Sequence, residues 1–296
     1  MSRTLVWGLY ALLVLVWSST WVTIKIGLDD LPAFLGAGIR FAAAGAGLLA
    51  YAALRGRSLD TDRVLATVIG VLPFATTYGL IYWAEQHIPS GLTAVLFGVL
   101  PLYVALLAAV VLPDEPLRPR LLLGIGLAIA GLALAFNESL ELGDDELAGL
   151  AAGLVVLSPI ASAIGNVSIK LRAGRLDALV LNGWAMLGGG ALLLAVSAPT
   201  ESWTGARFSA EAVGSIVYLA AAGTAFTFVA LTLLLRELPA VTTSFLSVLL
   251  PFGALAFGAL LEDEVVTSAA LGGAALVALG IAVAQWPRRS SPARAG

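Results

Sequence analysis

Residues 88–112 read IPSGLTAVLFGVLPLYVALLAAVVL, and residues 238–261 read LPAVTTSFLSVLLPFGALAFGALL. Neither stretch carries a charge, and each exceeds the ~20 apolar residues that a helix needs to cross a bilayer core. Each opens on an aliphatic–proline pair and meets a second proline twelve residues on: Pro89 and Pro101, then Pro239 and Pro251. Thr93 matches Thr243 at the same spacing of 150. The two stretches read as copies of one membrane-crossing helix.

Working outward, eight similar runs flank them, at about 5–26, 33–54, 64–86, 120–137, 147–169, 178–198, 212–235 and 267–286. With 89–112 and 239–261 they make ten expected transmembrane helices. The runs are too long and too evenly apolar for β-barrel strands of ~10 alternating residues. The first is read as a span and not a signal peptide, because no small-residue cleavage site follows it. The connections are too short for an extramembrane domain.

Composition agrees. Of 296 residues, 59% are hydrophobic and 12% charged, about half the ~25% charged of soluble domains. A net charge of −3 offers no basic surface to nucleic acid. The chain has no cysteine and one histidine, His87. Disulfides, cysteine nucleophiles and multi-histidine metal sites are excluded, and no cofactor is expected.

Lysines and arginines set the expected orientation. With a cytoplasmic N-terminus, thirteen of the sixteen fall on the inner side, from Arg3 to Arg294. Lys25 and Arg207 fall outside, and Arg40 lies within the second run. The outer connections are acidic, as in Glu138–Glu146 and Glu262-Asp263-Glu264. Both termini are expected in the cytoplasm. Trp7 and Trp286 fit the inner interface, Trp83 and Trp203 the outer.

A repeat runs through the whole chain. Val22-Thr23-Ile24-Lys25 matches Val167-Ser168-Ile169-Lys170; Asp114-Glu115 matches Asp263-Glu264; Gly124 and Gly131 match Gly273 and Gly280. The division is 1–137 as the first five-helix repeat, 138–146 as an acidic connector, 147–287 as the second repeat and 288–296 as a basic tail. Five spans per half turn the second half upside down. Such inverted-topology repeats build secondary transporters, with the substrate site near the midplane.

The segments Trp17-Ser-Ser-Thr-Trp-Val-Thr-Ile-Lys25, Leu35 to Ala42, Ile88-Pro-Ser-Gly-Leu-Thr-Ala94 with Leu100-Pro101-Leu102, and Gly124 to Leu132 resemble the EamA-type drug/metabolite transporters. The likeness covers about residues 5–286. It implies a ten-helix inverted-repeat carrier in the cytoplasmic (inner) membrane of a bacterial-type cell. Its substrates would be amino acids or related metabolites. The aromatic-rich first and third spans are most similar to the aromatic amino-acid exporters.

Candidate substrate contacts follow from helical spacing. Trp17 and Trp21 share a face with Thr20 beside them, suited to a substrate with an apolar body and a polar end; core packing is the competing role. Tyr78 and Tyr82 repeat the pattern on the third span, and Thr224 and Phe228 stand on the matching eighth. Ser158, Ser162 and Asn166 form a polar stripe on the sixth. Asn166 needs a partner in an apolar setting, either a neighbouring helix or substrate. Thr243, Ser244, Phe245 and Ser247 give the ninth span its polar face, with Ser244 and Phe245 the candidate contacts. Pro101 and Pro251 break backbone hydrogen bonding and are candidate hinges or plain kinks.

Arg40 is expected to snorkel to the outer interface or to pair with Asp29, Asp30 or a substrate carboxylate. Glu85 and His87 read as a solvated helix end, leaving no carboxylate deep in a span. The matched glycines imply close packing between the fifth and tenth spans or across a dimer; the chain is expected to be a monomer or homodimer.

The expected function is secondary transport of small amphipathic metabolites by alternating access, with neutral or aromatic amino acids favoured for export. A drug or cation exporter of the same fold is the alternative, and a channel or scaffold is further off. No Ser–His dyad, deep aspartate pair or phosphate-binding loop supports an enzyme or an ATP-driven pump. The expected partners are a small-molecule substrate and the lipid bilayer, and no nucleic acid.

Overall fold

A computed structural model describes residues 1–137, 145–172, 174, 176–261 and 268–285. Most of the 138–146 connector lies outside these residues, as do Glu262-Asp263-Glu264, Trp286 and the 288–296 tail. Among the described residues the chain is helical and has no strand. The first half holds α1 (Arg3–Leu28), α2 (Ala33–Leu54), α3 (Arg63–Ile69), α4 (Tyr78–Ala84), α5 (Ser90–Phe97), α6 (Leu100–Val111) and α7 (Pro119–Ala135). The second holds α8 (Ala148–Leu157), α9 (Pro159–Arg172), α10 (Ala178–Thr200), α11 (Ala210–Ala220), α12 (Thr227–Glu237), α13 (Ala240–Ser244), α14 (Leu246–Leu261) and α15 (Ser268–Gln285). π-helical segments, Gly70–Thr77 and Ala221–Phe226, join α3 to α4 and α11 to α12.

Among the described residues, seven helical stretches are long and apolar enough to cross a membrane. Three shorter apolar helices, Pro119–Ala135, Ala240–Ala254 and Leu271–Gln285, fall on the fifth, ninth and tenth predicted runs.

Polar bonds at the helix ends show how the segments run. The Met1 ammonium pairs with Glu237 at 2.9 Å, so α12 ends on the face where α1 begins, the N-terminal face. Lys170 Nζ donates to the Leu238 carbonyl at 2.8 Å, which brings the end of α9 to that same face. At the far face, Lys25 Nζ donates to the Glu85 carbonyl at 2.5 Å. There too the Glu201 carboxylate accepts from Phe34 N and Leu35 N at 2.8 and 3.0 Å, capping α2 from the end of α10. Thus α9 ends where α1 starts, and the first helix of each half points the opposite way.

Two antiparallel seams bind the halves. Where α2 crosses α10, a Cβ on Gly45 would lie 2.5 Å from Leu187 N, and one on Gly190 would lie 2.5 Å from Ala42 N. Where α7 crosses α15, a Cβ on Gly124 would lie 2.5 Å from the Gly280 carbonyl. The matched glycines thus pack the fifth and tenth segments against each other within one chain. Small residues are what permits this approach in an apolar bundle.

The proline reading is corrected in detail. Pro101 sits in the first turn of α6, where its missing N–H breaks no helical bond. The helix interruption lies before it, at Gly98 and Val99. Pro251 is inside α14, and the matching interruption is at Phe245.

Candidate functional site

A cavity of about 70 Å³ lies between the halves. Eight of the twelve predicted contact residues line it: Trp17, Thr20, Trp21, Tyr78, Ser162, Asn166, Phe228 and Ser244. Both halves contribute, and among the described residues no charged side chain lines the cavity.

The other four are placed elsewhere. Tyr82 lines a smaller space beside Leu28 and Ser215 and holds Arg40. Ser158 is buried, its hydroxyl turned to the Val155 carbonyl at 3.0 Å. Thr224 is buried against Arg40. Phe245 is packed in the core.

The π-helical segments anchor two of the cavity-lining side chains, Trp17 and Ser162, to the wall. A π turn interrupts the regular ladder and leaves carbonyls for other donors. The Gly223 carbonyl accepts from Trp17 Nε1 at 3.2 Å and from Arg40 Nη2 at 3.3 Å. In the first half the Thr77 hydroxyl donates to the Ser158 carbonyl at 3.1 Å and accepts from Ser162 at 3.1 Å. So α1 docks on the π segment of the second half, and α9 docks on that of the first.

An aromatic cluster backs this wall. Phe228 lies 5.3 Å from Trp17, 4.8 Å from Phe74 and 5.9 Å from Tyr78, centre to centre. Such tilted and edge-on pairs are the favoured geometry and hold the rings rigid.

Arg40 departs from its expected position. It is 1% exposed. Its Nε donates to Thr224 at 2.7 Å and its Nη1 to the Tyr82 hydroxyl at 3.2 Å. The guanidinium also sits 5.0 Å from the centre of the Tyr78 ring. It therefore neither snorkels nor pairs with Asp29 or Asp30. A freed carbonyl, two hydroxyls and aromatic faces offer the inward side of α2 what the interface would otherwise supply.

Glu85 is the second departure. It is fully buried, not a solvated helix end. His87 follows the expectation better: it is half-buried and meets Asp145 at 3.1 Å. The Asp145 carboxyl is held below its usual range, first by the Leu147 amide and then by His87.

Residue-by-residue reading had no means of finding the π segments, which set both the Arg40 cradle and the docking of Trp17. The available signals were Pro73 inside an apolar run and the Gly223-Thr224 pair, each with a threonine one turn on. Thr243 and Ser247, from the polar face of the ninth span, also line the cavity, and so do Ile24 and Ile81, which escaped the helical-face argument.

The profile of the EamA-like transporter family matches residues 5–137 and 149–285. A transporter named YoaV from Bacillus subtilis is 28% identical over 270 residues, covering 90% of this chain and 92% of its own. The inner membrane transporter YedA of Escherichia coli K12 is 31% identical over 245 residues, covering 80% of this chain and 76% of its own. Protein PagO of Salmonella typhimurium is 26% identical over 217 residues, covering 72% and 70%. A solved crystal structure superimposes with a TM-score of 0.80 at 19% identity, over 96% of this chain and 97% of that one.

Proposed function

The chain belongs to the EamA-like transporter family and is a multi-pass membrane transporter, and we propose that it exports small neutral, preferably aromatic, amino acids by alternating access of the central cavity. The reading has ten spans in two inverted repeats, 1–137 and 147–287, with both termini in the cytoplasm of a bacterial-type inner membrane. The far face is then the outer one.

The observation that carries this proposal is the composition of the cavity wall. Trp17, Tyr78 and Phe228 supply flat apolar surface, while Asn166, Ser162 and Ser244 supply hydrogen-bonding groups without charge. That set suits an apolar body with a small polar end. The alternative cation exporter is disfavoured, because no carboxylate lines the cavity among the described residues. Inverted repeats supply the means of alternating access, since each packing on one side has a counterpart on the other.

The test is flux in liposomes without ATP. Reconstituted protein should accelerate efflux of radiolabelled phenylalanine or tryptophan over lysine. Trp17→Ala and Tyr78→Ala should each weaken apparent substrate affinity about tenfold, as expected from losing an aromatic contact of ~1.4 kcal/mol. Unchanged flux and competition profiles in both variants would remove the cavity from the transport path.

A further inference from the structure

Glu85 has no role in the cavity wall, yet its setting is unusual for a carboxylate. It follows Ile81 by four residues, so it stands one turn beyond a cavity-lining side chain on the same helical face. It is fully buried, and among the described residues neither carboxylate oxygen has a hydrogen-bond partner. The ion pairs found there are Met1–Glu237, Arg57–Asp177 and His87–Asp145, and none includes Glu85.

Two cations are near, and both are committed elsewhere. Lys25, on α1, spends its ammonium on the Glu85 main-chain carbonyl. Arg40, on α2, is bound to Thr224, Tyr82 and the Gly223 carbonyl. The other segments packed on α4 are α8 and the π segment 70–77, and neither contains a titratable residue. On Glu85's own helix end, Tyr82 is held by Arg40, and His87 is turned to Asp145. Glu85 also caps the C-terminal end of α4, where the helix dipole disfavours a negative charge. A buried carboxylate without a partner loses its charge by taking a proton.

We propose that Glu85 is a proton-binding site of the transporter: it holds a proton while the far rim of the cavity is closed and releases it as that rim opens. On opening, the carboxyl O–H breaks and its proton passes to water on the far side. The carboxylate left behind is stabilised by that water and by the Lys25 ammonium, freed from the main chain. On closing, the proton returns from the same phase. Alkaline conditions at the far face thus favour the open rim and acid conditions the closed one.

The inference rests on the cavity being one that opens to either side, but its test needs no substrate. The chain has no cysteine, so Ile24→Cys creates a sole thiol where the cavity meets the far-rim space. Maleimide labelling is compared with and without Glu85→Gln, and the ratio of rates is read, so that the thiol's own ionisation cancels. The ratio should climb with pH, by up to about tenfold per unit for one linked proton. With Ile169→Cys, the matching reporter at the N-terminal rim, it should not climb.

A ratio flat with pH at Ile24, or one that climbs equally at Ile169, overturns the proposal. Should Glu85→Gln not fold, Glu85→Asp replaces it: a shifted midpoint of the labelling profile supports the proposal and an unchanged one overturns it. Failure here with intact amino-acid flux leaves the transport reading standing. Absent flux with a climbing ratio does the reverse.

Discussion

The two halves share a scaffold and differ in their buried charge. In the first, Lys25, Arg40 and Glu85 stand within or beside the membrane segments. At the repeat spacings of 145 and 150 residues, set by Lys25–Lys170 and Pro89–Pro239, these positions correspond to Lys170, Ala185 and Leu235. Ala185 and Leu235 are buried and apolar. The lysine is common to both halves and does the same work in each, donating to a carbonyl at the end of its own third segment. Packing is thus duplicated, while the arginine cradle and the buried carboxylate belong to one half alone. An inverted pair with identical chemistry would treat both sides of the membrane alike. This one has the means to treat them differently.

The duplicated scaffold is the part that mutation should hit hardest and most evenly. Gly45→Ala and Gly190→Ala each push a methyl group to 2.5 Å from a main-chain nitrogen of the facing helix. Overpacking of this kind against backbone should cost about 3 kcal/mol, and by about the same amount in each half. Thermal unfolding in detergent measures both. Gly47→Ala is the control: nothing lies within 4 Å of its Cβ position, and alanine's better helix propensity should leave stability equal or up by ~1 kcal/mol. A large gap between the two seam variants would break the symmetry of the scaffold.

The next effect tests the unshared chemistry. Arg40→Met should destabilise by about 2–3 kcal/mol, because the Gly223 carbonyl and the Thr224 hydroxyl lose a charged donor in a buried site. Tyr82→Phe removes one of the three bonds and should cost about 1 kcal/mol. If Arg40→Met were neutral, the arginine would be a bystander and the halves would differ only in sequence.

The scaffold was legible in the sequence for a physical reason. A bilayer demands long apolar helices and leaves them no alternative. Repeated prolines and glycines then report where helices break and where they touch. The cavity was partly legible: Trp17, Trp21, Tyr78, Asn166 and Phe228 sit on predictable inward faces. Arg40, Glu85, Thr224 and Tyr82 were misplaced because their surroundings come from other segments. Spacing along one helix gives a face, but it does not give the Gly223 carbonyl and Thr224 hydroxyl that the second π segment turns toward Arg40, or the packing that buries Glu85.

The shared lysines give a smaller effect with opposite signs. Lys25→Met removes a charge-assisted bond at the far rim, and Lys170→Met removes one at the N-terminal rim. Each bond should contribute about 1.5 kcal/mol to holding its side closed. In the Glu85→Gln background, where Lys25 has no carboxylate to stabilise on opening, Lys25→Met should raise labelling of Ile24→Cys about tenfold and leave Ile169→Cys unchanged, and Lys170→Met should do the converse. If both variants opened the same side, the two latches would not be counterparts.

The smallest effects lie outside the membrane segments, where, among the described residues, each face has a side-chain ion pair in solvent. At the far face His87 meets Asp145, and at the N-terminal face Arg57 meets Asp177 at 2.7 Å. Burial pushes the Asp177 carboxyl up, but Arg57 and the Leu179 amide outweigh it and hold the group below its usual range. Asp145 is held low as well, by the Leu147 amide and His87. A carboxyl depressed on folding stabilises above its unfolded value, and the gain is lost as pH falls through the folded one. Both pairs should therefore support the fold at neutral pH and stop doing so below about pH 4. Asp177→Asn should lower the neutral-pH unfolding midpoint by the equivalent of under ~1 kcal/mol, with the difference from wild type vanishing in acid. Asp145→Asn should vary with pH in the same sense. Salt should weaken the Asp177 and the Asp145 contributions alike at neutral pH, because both pairs stand in solvent, and a salt-insensitive difference between either Asn variant and wild type would show that the pair's charge is not what supports the fold.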